Sequence, residues 1–92
     1  MYQDKVEKFY LNLLNNADKE KWKEFVNKIR EETSPEDNHQ LIDLATFEKT
    51  LHDYLNLKIS GSQRELLFNT SGRIYKGSKF INIGLIYSYR HI

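Results

Sequence analysis

Apolar residues recur at steps of three and four along much of this chain, which is the spacing of one face of an α-helix. There are three such stripes: Tyr2, Val6, Phe9, Tyr10, Leu13 and Leu14; Trp22, Phe25, Val26 and Ile29; and Leu44, Phe47, Leu51, Tyr54 and Leu55. Asp18 and Asp43 precede the second and third stripes, where a carboxylate can cap free backbone N–H groups. Because 92 residues suffice for one domain, the helices are expected to share one core.

The C-terminal part of the chain is ambiguous. Ser60-Gly61-Ser62 should end the third helix and cap a short fourth one, which Gly72 is expected to end. Beyond it, apolar residues alternate in the way that is typical of a strand, at Ile81, Ile83, Leu85, Tyr87 and Tyr89. A helical face capped by Asn82 also fits part of the same segment. The sequence leaves open whether residues 73–92 form a helix or a β-hairpin.

A shift of 39 residues aligns Ile42 with Ile81, Asp43 with Asn82 and Phe47 with Ile86. Over residues 19–92 this pattern resembles a pair of EF-hands. The resemblance implies an all-α domain, with an amphipathic helix over residues 1–17 and EF-hand-like units over residues 18–57 and 60–92. It also implies a minimal β bridge between the two loops, in which Ile42 lies opposite Ile81.

The expected calcium ligands are missing from both loops. A calcium loop needs oxygen ligands at positions 1, 3 and 5 and a carboxylate at position 12. The corresponding residues are Pro35, Asp37, His39 and Thr46 in the first loop and Ile74, Lys76, Ser78 and Leu85 in the second. One carboxylate is too few for a hard divalent cation, so we expect no calcium binding.

An EF-hand-like pair without calcium implies a constitutive adaptor, comparable to myosin light chains, that holds an amphipathic helix of a partner protein. The residues expected to line its groove are Phe25, Leu51, Tyr54 and Leu55. Tyr87 and Tyr89 are further candidates, because tyrosine combines apolar area with a polar tip.

The alternative is an α+β, winged-helix-like domain that binds nucleic acid. Residues 1–57 hold 8 basic and 12 acidic side chains, whereas residues 58–92 hold 6 and 1, so the C-terminal third favours an anionic partner. A hairpin with Lys76-Gly77-Ser78 in its turn would present basic residues to phosphates: Arg73, Lys76, Lys79 and Arg90. The third helix would be the candidate reader, although it carries Glu48 and Asp53.

Other functional classes find little support in the composition. There is no cysteine, which excludes disulfides and thiolate chemistry and fits a cytoplasmic or other reducing compartment. The three histidines lie in distant segments, and Glu36-Asp37-Asn38-His39 is typical of a solvated loop, so no metal site, catalytic site or cofactor is predicted. No apolar run is long enough to span a membrane. The protein is therefore expected to bind a macromolecule and not to be an enzyme.

Overall fold

The computed structural model describes residues 2–91 and is mostly helical, with a small antiparallel sheet. The helices are α1 (Tyr2–Asn15), α2 (Lys19–Glu31), α3 (Leu44–Leu55) and α4 (Gly61–Ser71). The strands are β1 (Leu41–Asp43), β2 (Gly72–Tyr75) and β3 (Ser78–Asn82). Two short 3-10 helices span Pro35–Asp37 and Gly84–Ser88. The all-α prediction is therefore right for most of the described chain, but the α+β alternative also fits.

The helix starts follow the predicted caps. Asp18 accepts a hydrogen bond from the backbone N–H of Lys21 at 2.8 Å, and Asp43 accepts from the backbone N–H of Ala45 at 2.9 Å. Ser60 begins α4 in a reciprocal capping box with Gln63. These bonds satisfy N–H groups that the first helical turn leaves without partners.

The sheet has the strand order β1-β3-β2, and Ile42 lies opposite Ile81. The predicted pairing of these two isoleucines is confirmed. Strands β2 and β3 form a hairpin whose two turn residues, Lys76 and Gly77, both have positive φ, at 50° and 80°. Two consecutive positive φ values define the type I′ turn, whose twist matches that of the strands it joins.

The second helix-loop-helix unit, implied for residues 60–92, is not formed. Its first helix is α4, but a hairpin and one 3-10 helix occupy the place of the exiting helix. Asn82 does accept a bond from the backbone N–H of Gly84 at 2.8 Å, yet the turn that it starts ends at Ser88. β-Branched isoleucines and Gly84 disfavour helix here, while β1 and β2 both offer hydrogen-bond partners to β3.

The core lies between the helices and one face of the sheet. Helices α2 and α3 contribute the fully buried Phe25, Phe47 and Leu51 to this core. The sheet contributes Ile42 and Ile81 to the same cluster. Helix α1 packs against α4 and the C-terminal 3-10 helix, where the Tyr10 and Tyr89 rings lie 6.3 Å apart. Among the helices of residues 2–91, none combines the length and the apolar character needed to cross a bilayer.

Candidate functional site

A cleft of about 370 Å³ lies between α2 and the C-terminal segment, and we call it the α2–tail groove. One wall is a single stripe of α2, made of Lys19, Trp22, Lys23, Val26, Asn27 and Arg30. The other wall comes from the 3-10 helix and the residues after it, namely Ile86, Tyr87, Tyr89, Arg90 and His91. Trp22 and Ile86 underlie the cleft as core residues that are 3% and 0% exposed, so the part of the apolar floor that a partner can contact is half-buried Val26, flanked by half-buried Tyr87 and Tyr89.

Directional contacts hold the tail wall in place. The indole Nε1 of Trp22 donates to the backbone carbonyl of Tyr89 at 2.8 Å. The Tyr87 hydroxyl donates to the backbone carbonyl of His39 at 2.6 Å, and burial raises the pKa of this hydroxyl. The Arg30 guanidinium lies over the Tyr87 ring, 4.4 Å from its centroid, which is cation–π geometry. The two tyrosines are therefore fixed wall residues of a preformed groove.

The charge of the groove has one sign. Lys19, Lys23, Arg30 and Arg90 are all exposed and all line the cleft, and none of the lining residues within the described chain is acidic. The imidazole Nε2 of His91, on the same wall, is buried and has no hydrogen-bond partner within residues 2–91. Such a site attracts an anionic group and repels a cationic one.

The residues predicted to line a protein-binding groove divide into two sets. Phe25 and Leu51 are 0% exposed and Leu55 is 9% exposed, so they belong to the core and are closed to a partner in this conformation. Tyr54 is half-buried against that core. These four residues sit on the inner faces of α2 and α3, which pack against each other instead of opening a groove. Tyr87 and Tyr89 do line a groove, but its opposite wall is the stripe on α2.

The four basic residues of the nucleic-acid alternative do not form one surface. Arg73 pairs across the hairpin with Phe80, and Lys79 pairs with Ile74, so Arg73 and Lys79 lie on opposite faces of the sheet. Lys76 is at the turn. Arg90 lies away from the hairpin, in the α2–tail groove.

Neighbouring side chains also reduce the positive potential of the hairpin. Arg73 lines a separate cleft of about 590 Å³ together with three carboxylate residues, Glu32, Glu36 and Asp37. On the other face Lys79 lies over the Phe68 ring, 5.3 Å from its centroid, and lines a depression with Asp43, Glu48 and Arg64, whose summed formal charge with Lys79 is zero. The acidic groups would oppose a phosphate backbone at both places.

The loop before β1 uses its polar side chains locally. Asp37 accepts a hydrogen bond from the backbone N–H of Gln40 at 3.3 Å, and His39 Nδ1 lies 3.0 Å from the backbone carbonyl of Arg30. Within residues 2–91, no three His, Asp or Glu side chains are grouped closely enough to hold a metal ion. The contact from His39 holds this loop against the C-terminal end of α2.

Sequence reasoning missed Lys19, Lys23 and Arg30 as site residues. Their signal was present, because steps of four and seven place all three on one side of a helix. Trp22 and Val26 lie on the same stripe, which therefore combines cations with apolar groups. The stripe was obscured because α2 also carries Glu20, Glu24 and Glu31 on its other faces.

Comparisons of the chain with models of protein families, with curated proteins and with solved structures returned no match. The function of the groove therefore has to be argued from its own geometry and charge. These features are a fixed aromatic wall, an apolar floor and a rim of four cationic side chains.

Proposed function

We propose that this protein is a calcium-independent binding module that holds a helical segment of a larger protein in the α2–tail groove. The observation that carries the proposal is the groove itself, an open cleft with an apolar floor and two tyrosines held by hydrogen bonds. Preformed walls lower the entropic cost of binding, because few side chains need to be ordered when the partner arrives. The proposed binding does not require calcium, because Asp37 is the one carboxylate at the calcium-ligand positions of the two loops.

The dimensions of the groove suit one face of a helix. From Lys19 to Arg30 the α2 wall spans eleven residue steps, or about 16 Å at the rise of an α-helix. The groove therefore accepts a row of side chains from about three turns of a partner helix that lies along its rim.

The order of elements supports the winged-helix-like alternative for the fold more than the EF-hand resemblance. Three helices, α2 to α4, precede a hairpin, and β1 completes the sheet beside β3. The pairing of Ile42 with Ile81 suits either arrangement. A fold of this kind does not by itself indicate the ligand, so the groove carries the functional argument.

Binding of nucleic acid through the hairpin is less well supported. The helix that precedes the hairpin is α4, whose Arg64 is already paired with Glu48 of α3 at 2.9 Å through its Nε. Helix α4 is also covered on one side by α1. The exposed face of α4 carries Arg64 as its one cation, next to Glu65, and α3 carries Glu48 and Asp53, so neither helix offers the cluster of cations that a phosphate backbone favours.

The proposal is tested by titrating the ¹⁵N-labelled protein with an amphipathic peptide of about 15 residues, enough to match three helical turns with overhang. The peptide carries leucine on one face and equal numbers of Glu and Lys elsewhere. We expect amide shifts confined to residues 19–30 and 84–91. Val26→Asp should weaken binding about tenfold or more, since it places a charge against the apolar face of the peptide.

The matched control is Ile74→Asp, which places the same charge on an apolar residue that is 60% exposed on the hairpin. This variant should bind like the wild type. Affinity should be equal in EDTA and in about 1 mM calcium. Amide shifts on the hairpin, or loss of binding in Ile74→Asp with retention in Val26→Asp, would move the site away from the groove and contradict the proposal.

A further inference from the structure

We propose that the α2–tail groove selects an acidic segment whose carboxylates repeat at steps of four and seven residues, an inference that rests on the proposed function. Lys19, Lys23 and Arg30 are separated by these steps along α2. A partner helix lying along α2 has the same rise of about 1.5 Å per residue, so carboxylates at matching steps meet all three cations at once. Arg90 adds a fourth cation from the opposite wall.

The order of the steps depends on the direction of the partner helix. A parallel helix needs acidic residues in the order four then seven, whereas an antiparallel helix needs seven then four. Apolar residues of the partner must fall between the acidic ones, opposite Val26. The predicted partner motif is therefore acidic and amphipathic at the same time, which is more specific than negative charge alone.

A protein segment fits this site better than a nucleic acid does. The cations stand on the rim, and the accessible apolar floor between them is half-buried Val26, flanked by the Tyr87 and Tyr89 wall. A phosphodiester backbone would pair with the rim but leave this apolar floor uncovered. An amphipathic peptide satisfies the rim and the floor together.

The test uses labelled helical peptides of about 15 residues, or just over four turns, that share leucines at the positions facing Val26. One has Glu in the order four then seven, a second has Glu in the order seven then four, and a third has Gln at the same sites as the first. Fluorescence anisotropy gives the affinities. We expect one acidic peptide to bind about tenfold or more tightly than the Gln peptide at about 50 mM salt, with most of this advantage lost at about 300 mM.

The protein variants separate site-specific charge from net charge. Lys23→Glu should weaken binding of the acidic peptide by about fivefold or more, because it replaces an attraction with a repulsion. Lys21→Glu is the matched control, since Lys21 is exposed on the same helix and lies outside the groove lining. It should change the affinity less than twofold. A peptide with Lys in place of the Glu that faces residue 23 should restore binding to Lys23→Glu.

The outcomes distinguish the two proposals. Tight binding of all three peptides, without salt dependence, would refute the acidic selectivity but leave the binding groove intact. Failure of every peptide to bind at millimolar concentration would refute both. Competition by a generic duplex DNA that is lost in Lys23→Glu, with no preference of the protein for acidic over Gln peptides, would identify a nucleic-acid site and overturn the inference.

Discussion

Shortening Ile42 or Ile81 by one methylene tests the central pairing of the fold. The two residues are opposite each other in β1 and β3, and both side chains are almost completely buried. Each Ile→Val change removes one buried methylene and should cost about 0.5–1.5 kcal/mol. A chain of this length has a total stability of roughly 5–14 kcal/mol, so both single variants should remain folded. The melting temperature should fall by about 4–8 °C for each kcal/mol lost.

The measurement is urea unfolding followed by the fluorescence of Trp22, the one tryptophan of the chain. Ile74→Val is the matched control, because Ile74 lies on the neighbouring strand β2 with its side chain 60% exposed. It should cost less than about 0.5 kcal/mol. The Ile42/Ile81 double variant should depart from additivity by about 0.5 kcal/mol, as contacting residues do. Strict additivity, or equal costs at Ile81 and Ile74, would refute the pairing and the hairpin with it.

Three further predictions concern local structure. Gly72→Ala should cost about 1–3 kcal/mol, since its Cβ would overlap the Phe68 side chain and backbone, whereas Gly61→Ala meets nothing within 4 Å and should be neutral or slightly stabilising in thermal melts. Asp43→Ala should lower the free energy of unfolding in urea by about 1 kcal/mol through loss of the α3 cap, whereas Asp43→Asn should keep most of the capping stability. Equal losses of stability in the two variants would argue against the cap. Burial raises the pKa of Tyr10 well above 10, so stability should fall as the pH rises above about 10, where only the unfolded state ionises. Melting curves of Tyr10→Phe should show a shallower fall and no loss at pH 7, because the buried hydroxyl has no partner within the described residues.

The helical part of the fold was predictable because its signals are local. The stripe of each helix, the Asp18 and Asp43 caps and the stop at Gly72 all depend on neighbours within about one turn. The Ile42–Ile81 pairing was also predicted, although the resemblance that suggested it implied a helix after Ile81. The tail was not predictable by the same means, because its choice between helix and strand depends on partners supplied by β1, 40 residues away in the chain.

The groove was only half predictable. Tyr87 and Tyr89 were selected because amphipathic aromatic side chains suit interfaces, and both line the cleft. Its α2 wall was missed because α2 lies within residues 1–57, where acidic side chains outnumber basic ones by 12 to 8. The charge of a helix surface depends on which face is exposed, whereas the net charge of a whole segment averages all faces of its helices. Counting along the stripe from Lys19 to Arg30 separates these cations from the glutamates of α2.

Helix α1 entered the sequence interpretation as an addition to a repeated unit, yet its position gives it a role in shaping the groove. Its Tyr10 ring lies against the Tyr89 ring, while the Tyr89 carbonyl accepts the bond from Trp22 on α2. The tail is thus held between α1 on one side and α2 on the other, and its short 3-10 helix has little stability of its own. This wall of the groove therefore depends on its contacts with both helices to stay in place. A change at Tyr10 that removes its contact with the Tyr89 ring should therefore make the tail wall of the α2–tail groove less rigid, although Tyr10 does not itself line the groove.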